Sequence, residues 1–185
     1  LLGELPDQVF GDDQVLAMKL TLYRTSGDTA LVAALVEAAQ RGKQVAVIVE
    51  LKARFDEANN ITWARQLEDA GVHVAFGSAT LKTHAKMTLV VRREANGLQR
   101  YVHIGTGNYH ALTARGYEDF GLFTTDENIA SDVSDLFNYM TGFGRPQRFR
   151  TLLVAPFTLR TRLIEAIRSV SQVAETGKNA RIRVK

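Results

Sequence analysis

The 185 residues suit one domain, or one domain and part of a second, and 45% hydrophobic with 23% charged residues is ordinary globular usage. A net charge of +3 and a pI near 9.3 are compatible with an anionic ligand without requiring one. The lack of cysteine excludes disulfides and thiolate chemistry, no window reads as a signal peptide or membrane span, and a cytoplasmic location is the default expectation.

From the N-terminus, Val15 to Tyr23 is apolar enough for a buried strand. Asp28 can cap a helix on which Leu31, Val32, Leu35, Val36 and Ala39 recur at helical spacing, and Gly42 closes it. Val45 to Leu51 is a near-continuous apolar strand of the kind a parallel sheet buries. Asn60 is expected to open a second helix with Ile61, Ala64 and Leu67, ended by Gly71, and Val72 to Phe76 to form a third strand. A strand carrying His84 and Lys86 follows, then a hairpin turn over Arg92 to Gly97 and a return through Leu98 to Ile104. Glu118 to Thr124 reads as a strand and Asn128 to Met140 as a helix with Ile129, Val133, Leu136, Phe137 and Met140 on one side.

This order predicts an α/β fold with a mixed sheet, parallel through its first two β-α units and antiparallel after residue 81, flanked by helices on both faces. Residues 1–142 make one domain. After Gly142 the pattern changes: Gly144-Arg145-Pro146 breaks the chain, and Thr151 to Ala155 is a short apolar run. An amphipathic helix follows with Leu159, Leu163, Ile164, Ile167 and Val170, and Gly177 to Lys185 reads as a loop entering a basic strand. Residues 143–185 are thus expected to be a linker, a helix and the start of a second, truncated α/β unit. A start at Leu1 rather than Met suggests an excised piece of a longer protein.

The chemistry concentrates in Leu81-Lys82-Thr83-His84-Ala85-Lys86. On a strand, side chains two apart share a face, so His84 and Lys86 can address one target. An imidazole is nucleophilic near neutral pH, and an adjacent ammonium neutralises phosphate oxygens. Taken alone, a His-x-Lys pair is ordinary. Other basic groups, however, fall at strand ends, where open α/β sheets place their sites: Arg24 after the first strand, Lys52 and Arg54 after the second, and Lys82 before His84. Arginine offers a planar fork for phosphate oxygens and lysine a compact charge. Asp56 and Glu57 could hold Mg²⁺ through water or simply decorate a helix entrance. A second block, Tyr101-Val-His-Ile-Gly-Thr-Gly-Asn-Tyr109, ends a strand in a glycine turn whose amides could approach a phosphate, with Asn108 able to hold an imidazole or oxyanion. His103 reads as structural. Arg115 could pair with phosphate and Tyr117 stack on a base, or both could pack.

A His-x-Lys segment followed by a Gly-x-Gly-Asn turn resembles one half of the phospholipase D superfamily. That pattern usually has an aspartate five positions after the lysine, where this chain has Val91, a departure that argues against hydrolysis. The blocks Thr21-Leu-Tyr-Arg-Thr-Ser26, Val49-Glu-Leu-Lys-Ala-Arg-Phe-Asp-Glu57, Leu81-Lys-Thr-His-Ala-Lys86 and His103-Ile-Gly-Thr-Gly-Asn108 are similar to the signature blocks of bacterial polyphosphate kinases. The resemblance implies a phospholipase D-like catalytic domain over residues 1–142 and the beginning of a second such domain after it. It implies reversible transfer of the terminal phosphate of ATP to inorganic polyphosphate through a phosphohistidine, with His84 as nucleophile. Arg24 and Arg54 match positions of the magnesium-phosphate site; since a guanidinium has no lone pair for a metal, they would bind Mg²⁺-bound phosphate. Lys82, Lys86, Asn108 and Arg115 would bind phosphate, and Tyr117 would contact the nucleotide, although Gly116 stands where a bulkier residue is usual. Mg²⁺, ATP, ADP and polyphosphate are the implied cofactor and ligands, with no nucleic acid. For the full-length protein, homo-oligomerisation and peripheral membrane association are expected. The segment alone is expected to fold and to bind phosphate chains with little or no turnover. Two rivals stay open on the residues alone, a phospholipase D-like phosphodiesterase or nuclease half and a non-catalytic module for polyphosphate or nucleic acid.

Overall fold

A computed structural model describes residues 9–22, 29–50, 57–77, 80–110, 113–142, 144 and 148–184, with the side chains of residues 29, 57–60 and 113 outside that description. It divides into two compact units, residues 1–146 and 147–185. Unit one is built on a six-stranded mixed sheet of order β3-β2-β1-β4-β5-β6. Its strands are β1 (Val15–Leu22), β2 (Gln44–Val49), β3 (His73–Phe76), β4 (Lys86–Glu94), β5 (Gly97–Gly105) and β6 (Gly121–Thr124). Strands β1 to β3 pair in parallel, with Leu20 beside Val47 and Val47 beside Val74, while β4, β5 and β6 are antiparallel. The two halves meet where β1 pairs antiparallel with β4.

Parallel strands need crossovers, and α1 (Thr29–Gln40) and α2 (Glu57–Asp69) supply them. Both crossovers end on a glycine with positive φ, Gly42 at 83° and Gly71 at 85°, a conformation a side chain would strain. The main core lies on this face: Val32, Leu35 and Ala38 of α1 and Leu67 of α2 cluster with Leu20, Leu22, Val45, Val47 and Val49. The opposite face is covered over β4 and β5 by α4 (Glu127–Met140), which follows the short α3 (Thr113–Gly116). Lys19, on the opposite side of β1 from Leu20, donates to Asn138 of α4 at 2.8 Å, and Arg100 of β5 donates to Ser131 at 3.0 Å. Asp126 caps α4 by accepting from Ile129 N at 2.9 Å, and Ala130, Val133 and Phe137 are buried beneath it. Helices therefore flank both faces, as expected.

Several boundaries differ from the sequence reading. The strand expected to carry His84 begins only at Lys86. The backbone just before it bonds to side chains, with Thr83 N on the Glu50 carboxylate and Ala85 O on the Thr21 hydroxyl, and not to a neighbouring strand. The second helix starts at Glu57, three residues before Asn60. The hairpin is tighter than expected: β4 runs through Glu94, and Ala95-Asn96 turns into Gly97 at φ 118°. The last strand begins at Gly121 and not Glu118, because Phe120 N bonds to the Thr106 hydroxyl.

Unit two contains α5 (Leu159–Glu175), closely matching the expected helix. Thr158 hydroxyl accepts from Val154 N at 3.0 Å and Thr158 N donates to Val154 O at 2.7 Å, fixing the turn before it. Among described residues 178–184 there is no strand, so the expected basic strand is not formed; this run has exposed side chains on nearly every residue and no partner strand among the described residues. No helix among the described residues is long and apolar enough to cross a membrane.

Phe137 is fully buried on α4. Phe137→Ala is expected to lower the unfolding free energy by about 3–5 kcal/mol, read from urea denaturation, and a midpoint equal to the parent's would contradict this placement of the helix.

Candidate active site

The chain from β3 to β4 passes along the C-terminal ends of β2 and β1, and His84 lies on that passage. Two side chains fasten it. The Glu50 carboxylate, just beyond β2 and only 2% exposed, accepts from Thr83 N at 2.6 Å. Thr21, in the last turn of the β1 pleat and equally buried, donates its hydroxyl to Ala85 O at 2.7 Å and accepts from Met87 N at 2.9 Å. His84 itself is exposed between these two attachments.

Lys86 is the first residue of β4 and is 4% exposed. Its ammonium curls back to donate to the His84 carbonyl at 2.6 Å and lies 3.0 Å from both His84 ring nitrogens. The two side chains are brought together, but through a folded-back lysine and not through strand alternation. Burial pushes the Lys86 pKa down to about 8, partly opposed by the nearby Asp119 carboxylate and reinforced by Lys82. Burial likewise lowers the pKa of His84, helped by the positive charges of Lys86 and Lys82. The His84 shift favours a neutral imidazole near pH 7, and a pKa near 8 leaves Lys86 mostly charged there. Lys82 is exposed, within electrostatic reach of both.

The glycine turn 105–108 stands beside this group, since Gly105 pairs with Lys86 across β4 and β5. The turn is tied to the chain before β6: Thr106 N donates to Phe120 O at 2.9 Å, and the Thr106 hydroxyl donates to Asp119 at 2.8 Å. A methyl on Gly107 would collide with the Asp119 carboxylate, so glycine is required there by close approach. Asn108 has a buried side-chain oxygen with no hydrogen-bond partner. Its carbonyl group therefore does not hold the His84 ring.

His103 pairs in register with Thr88, on the face of β4 shared with Lys86. The Thr88 hydroxyl donates to the Tyr109 oxygen at 3.0 Å, and that phenol lies 2.7 Å from His103 Nδ1. With Thr88 donating, the single phenol proton goes to Nδ1, which leaves the His103 proton on Nε2. Burial lowers the pKa of His103 and pushes that of Tyr109 up to about 12. His103 thus anchors the turn through Tyr109. Both border an apolar cavity of about 670 Å³, also lined by Phe10, Leu31, Val90, Tyr101 and Phe123. Such a lining suits apolar surface, not phosphate.

Arg115 and Tyr117 lie on and after α3, both exposed, Tyr117 at 72%. Arg24, Lys52, Arg54 and Asp56 lie outside the described residues, as does the side chain of Glu57. Among the described residues no cluster of three or more His, Asp or Glu is placed to hold a metal. Sequence reasoning gave Glu50 no role, although a charged residue closing an apolar strand was a signal that it is buried and engaged. It also passed over Thr21 and Asp119, whose partners are 64 and 13 residues away.

A mixed sheet with a histidine and a lysine at the end of a central strand, beside a glycine turn, is the arrangement of a phospholipase D-like domain. The family model described as polyphosphate kinase C-terminal domain 1 matches residues 4–146. The chain belongs to the polyphosphate kinase family. It is 58% identical over 174 residues to a polyphosphate kinase of Thermosynechococcus vestitus, covering 94% of this chain and 24% of that protein. It is 54% identical over 179 residues to one of Streptomyces coelicolor, covering 97% and 24%. The crystal structure of a polyphosphate kinase from Porphyromonas gingivalis superposes with a TM-score of 0.83 at 34% identity, over 96% of this chain and 30% of that one. The chain spans about a quarter of the length of the curated relatives it matches.

In an NMR titration of the chain, His84 is expected to titrate below the ordinary histidine value of 6.5 and Lys86 near 8. A His84 midpoint at or above 6.5 would contradict the burial and lysine proximity described.

Proposed function

We propose that this chain carries the phosphohistidine centre of a polyphosphate kinase, the family to which it belongs, transferring the terminal phosphate of ATP reversibly to inorganic polyphosphate. The single observation that carries the reading is the group at the end of β1 and β4, an exposed His84 held neutral beside the buried Lys86 and the nearby Lys82. One ring nitrogen of His84 attacks the γ-phosphorus; the N–P bond forms as the bond to the bridging oxygen breaks, and ADP leaves with that oxygen. The terminal oxygen of a polyphosphate chain then attacks the same phosphorus, the N–P bond breaks, and the chain grows by one. Lys86 and Lys82 offset charge on the phosphoryl group in flight, each on the scale of a few kcal/mol that one well-placed donor supplies.

Arg24 and Arg54, on the family resemblance, grip Mg²⁺-bound phosphate, and Asn108 and Arg115 receive phosphate oxygens. Tyr117 contacts the nucleotide. Mg²⁺ enters on the ATP phosphates as part of the substrate. This fits the described donors: ammonium groups give no lone pair to a metal, and the Asp119 and Glu50 carboxylates are already engaged by Thr106 and Thr83. Val91 supports transfer over hydrolysis, since an apolar residue paired with Ala17 and Arg100 stands where hydrolases of this superfamily carry a carboxylate. Residues 147–185 would open a second phospholipase D-like domain, and the full-length enzyme would be cytoplasmic, homo-oligomeric and peripherally attached to membrane.

Incubation of the full-length enzyme with γ-labelled ATP is expected to give acid-labile, base-stable label on His84, absent in His84→Ala. Undiminished labelling or polyphosphate synthesis by His84→Ala would overturn the proposal.

A further inference from the structure

We infer that Glu50 is a positioning residue for phosphotransfer, acting with Thr21 to hold His84 at the strand ends; the inference rests on the nucleophilic role proposed for His84. The topology creates the need. With strand order β3-β2-β1-β4, the chain leaving β3 must pass the ends of β2 and then β1 before it can enter β4. Residues 80–85 of that passage, His84 among them, are not in a strand. Each strand it passes contributes one buried side chain: Glu50 at the end of β2 takes the amide of Thr83, and Thr21 of β1 takes the amide of Met87 and the carbonyl of Ala85.

Glu50 is built into place. Its own amide donates to Leu22 O at 3.0 Å, so its backbone continues the β1–β2 pairing by one residue. Opposite it, Gly77 N donates to Val49 O at 3.1 Å. A methyl on Gly77 would stand 2.8 Å from the Thr83 hydroxyl oxygen and 3.1 Å from the Glu50 carboxylate. A side chain at Gly77 would crowd both groups, so residues from the ends of β2 and β3 form one socket for the residue before His84. The acceptor is a side-chain oxygen 2.6 Å from the Thr83 amide nitrogen. Thr83 on one side and Ala85 with Met87 on the other leave the backbone of His84 little freedom, while its ring stays exposed to substrate.

The test compares Glu50→Gln, Glu50→Ala and Thr21→Val with the parent full-length enzyme. The readouts are the rapid-quench rate of His84 labelling at saturating ATP, the KM for ATP, and the Thr83 amide NMR shift in the 185-residue chain. Glu50→Gln, which keeps an acceptor oxygen, is expected to label near the parent rate. Glu50→Ala and Thr21→Val are expected to slow labelling by about 10- to 100-fold, the scale of displacing a reacting group by about 1 Å, with KM little changed. The Thr83 amide is expected far downfield in the parent and shifted upfield in Glu50→Ala. Parent-rate labelling in Glu50→Ala, or a rise in KM matching the fall in rate, would overturn the inference. If Glu50→Ala fails to fold, the decision passes to the other two: a slow Thr21→Val with a near-parent Glu50→Gln upholds it, and any other pairing overturns it. A parent that never labels His84 removes the phosphotransfer reading, and the positioning claim then stands or falls on whether the Thr83 amide responds to Glu50.

Discussion

The site depends on a topological constraint: the chain between β3 and β4 must run past the open ends of two strands before it can rejoin the sheet. Loop backbone at such a place cannot find ladder partners, and buried amides left unpaired are costly. Here the missing partners are side chains, the Glu50 carboxylate and the Thr21 hydroxyl, both almost wholly buried. The same two contacts that satisfy the backbone also fix the residues on either side of His84. Packing beneath supports them, because β1 and β2 are clamped between α1 and α2 on one face, and β1 is paired with β4 on its other edge.

Electrostatics then set the chemistry. Lys86 is buried without losing contact with the His84 ring, and burial lowers the pKa of both groups. A desolvated ammonium gains more than a surface one when an anion arrives, since its attraction is not diluted by water. A neutral imidazole keeps the lone pair that attack on phosphorus requires. Asp119 restrains the Lys86 shift and at the same time braces the glycine turn through Thr106, so the His-x-Lys segment and the glycine turn meet in one carboxylate. The Thr88–Tyr109–His103 chain secures the other end of that turn.

Much of the fold could be read from the sequence because its signals are local. The apolar runs at Val45 and Val72, the helical spacing from Leu31 to Ala39 and the glycines at 42 and 71 each report on their own element. Boundaries were displaced where the deciding partner is distant in sequence. Lys86 and not His84 opens β4 because Thr21, more than 60 residues earlier, takes the bonds a ladder would have made. Of the site, His84, Lys86 and the glycine turn were readable from residue type and spacing. The Glu50 contact, the Asp119 brace and the curled lysine were not, since each depends on which strand ends lie side by side. The isolated tail read as a strand lacks one because strand character needs a partner, and none is present among the described residues.

The chain belongs to the polyphosphate kinase family, and the arrangement at the end of β1 sets one histidine of the four apart. His103 is committed to Tyr109 and His110 is buried, while His73 is exposed but opens β3 at the opposite end of the parallel strands from His84. The most direct measurement is a structure of the full-length enzyme with Mg²⁺ and a non-hydrolysable ATP analogue. The γ-phosphorus is expected within about 3.5 Å of a His84 ring nitrogen, in line with the bridging oxygen, with Lys86 turned toward the γ-oxygens. A γ-phosphate seated instead at His103 in the apolar cavity, or with His84 turned away from it, would contradict the assignment.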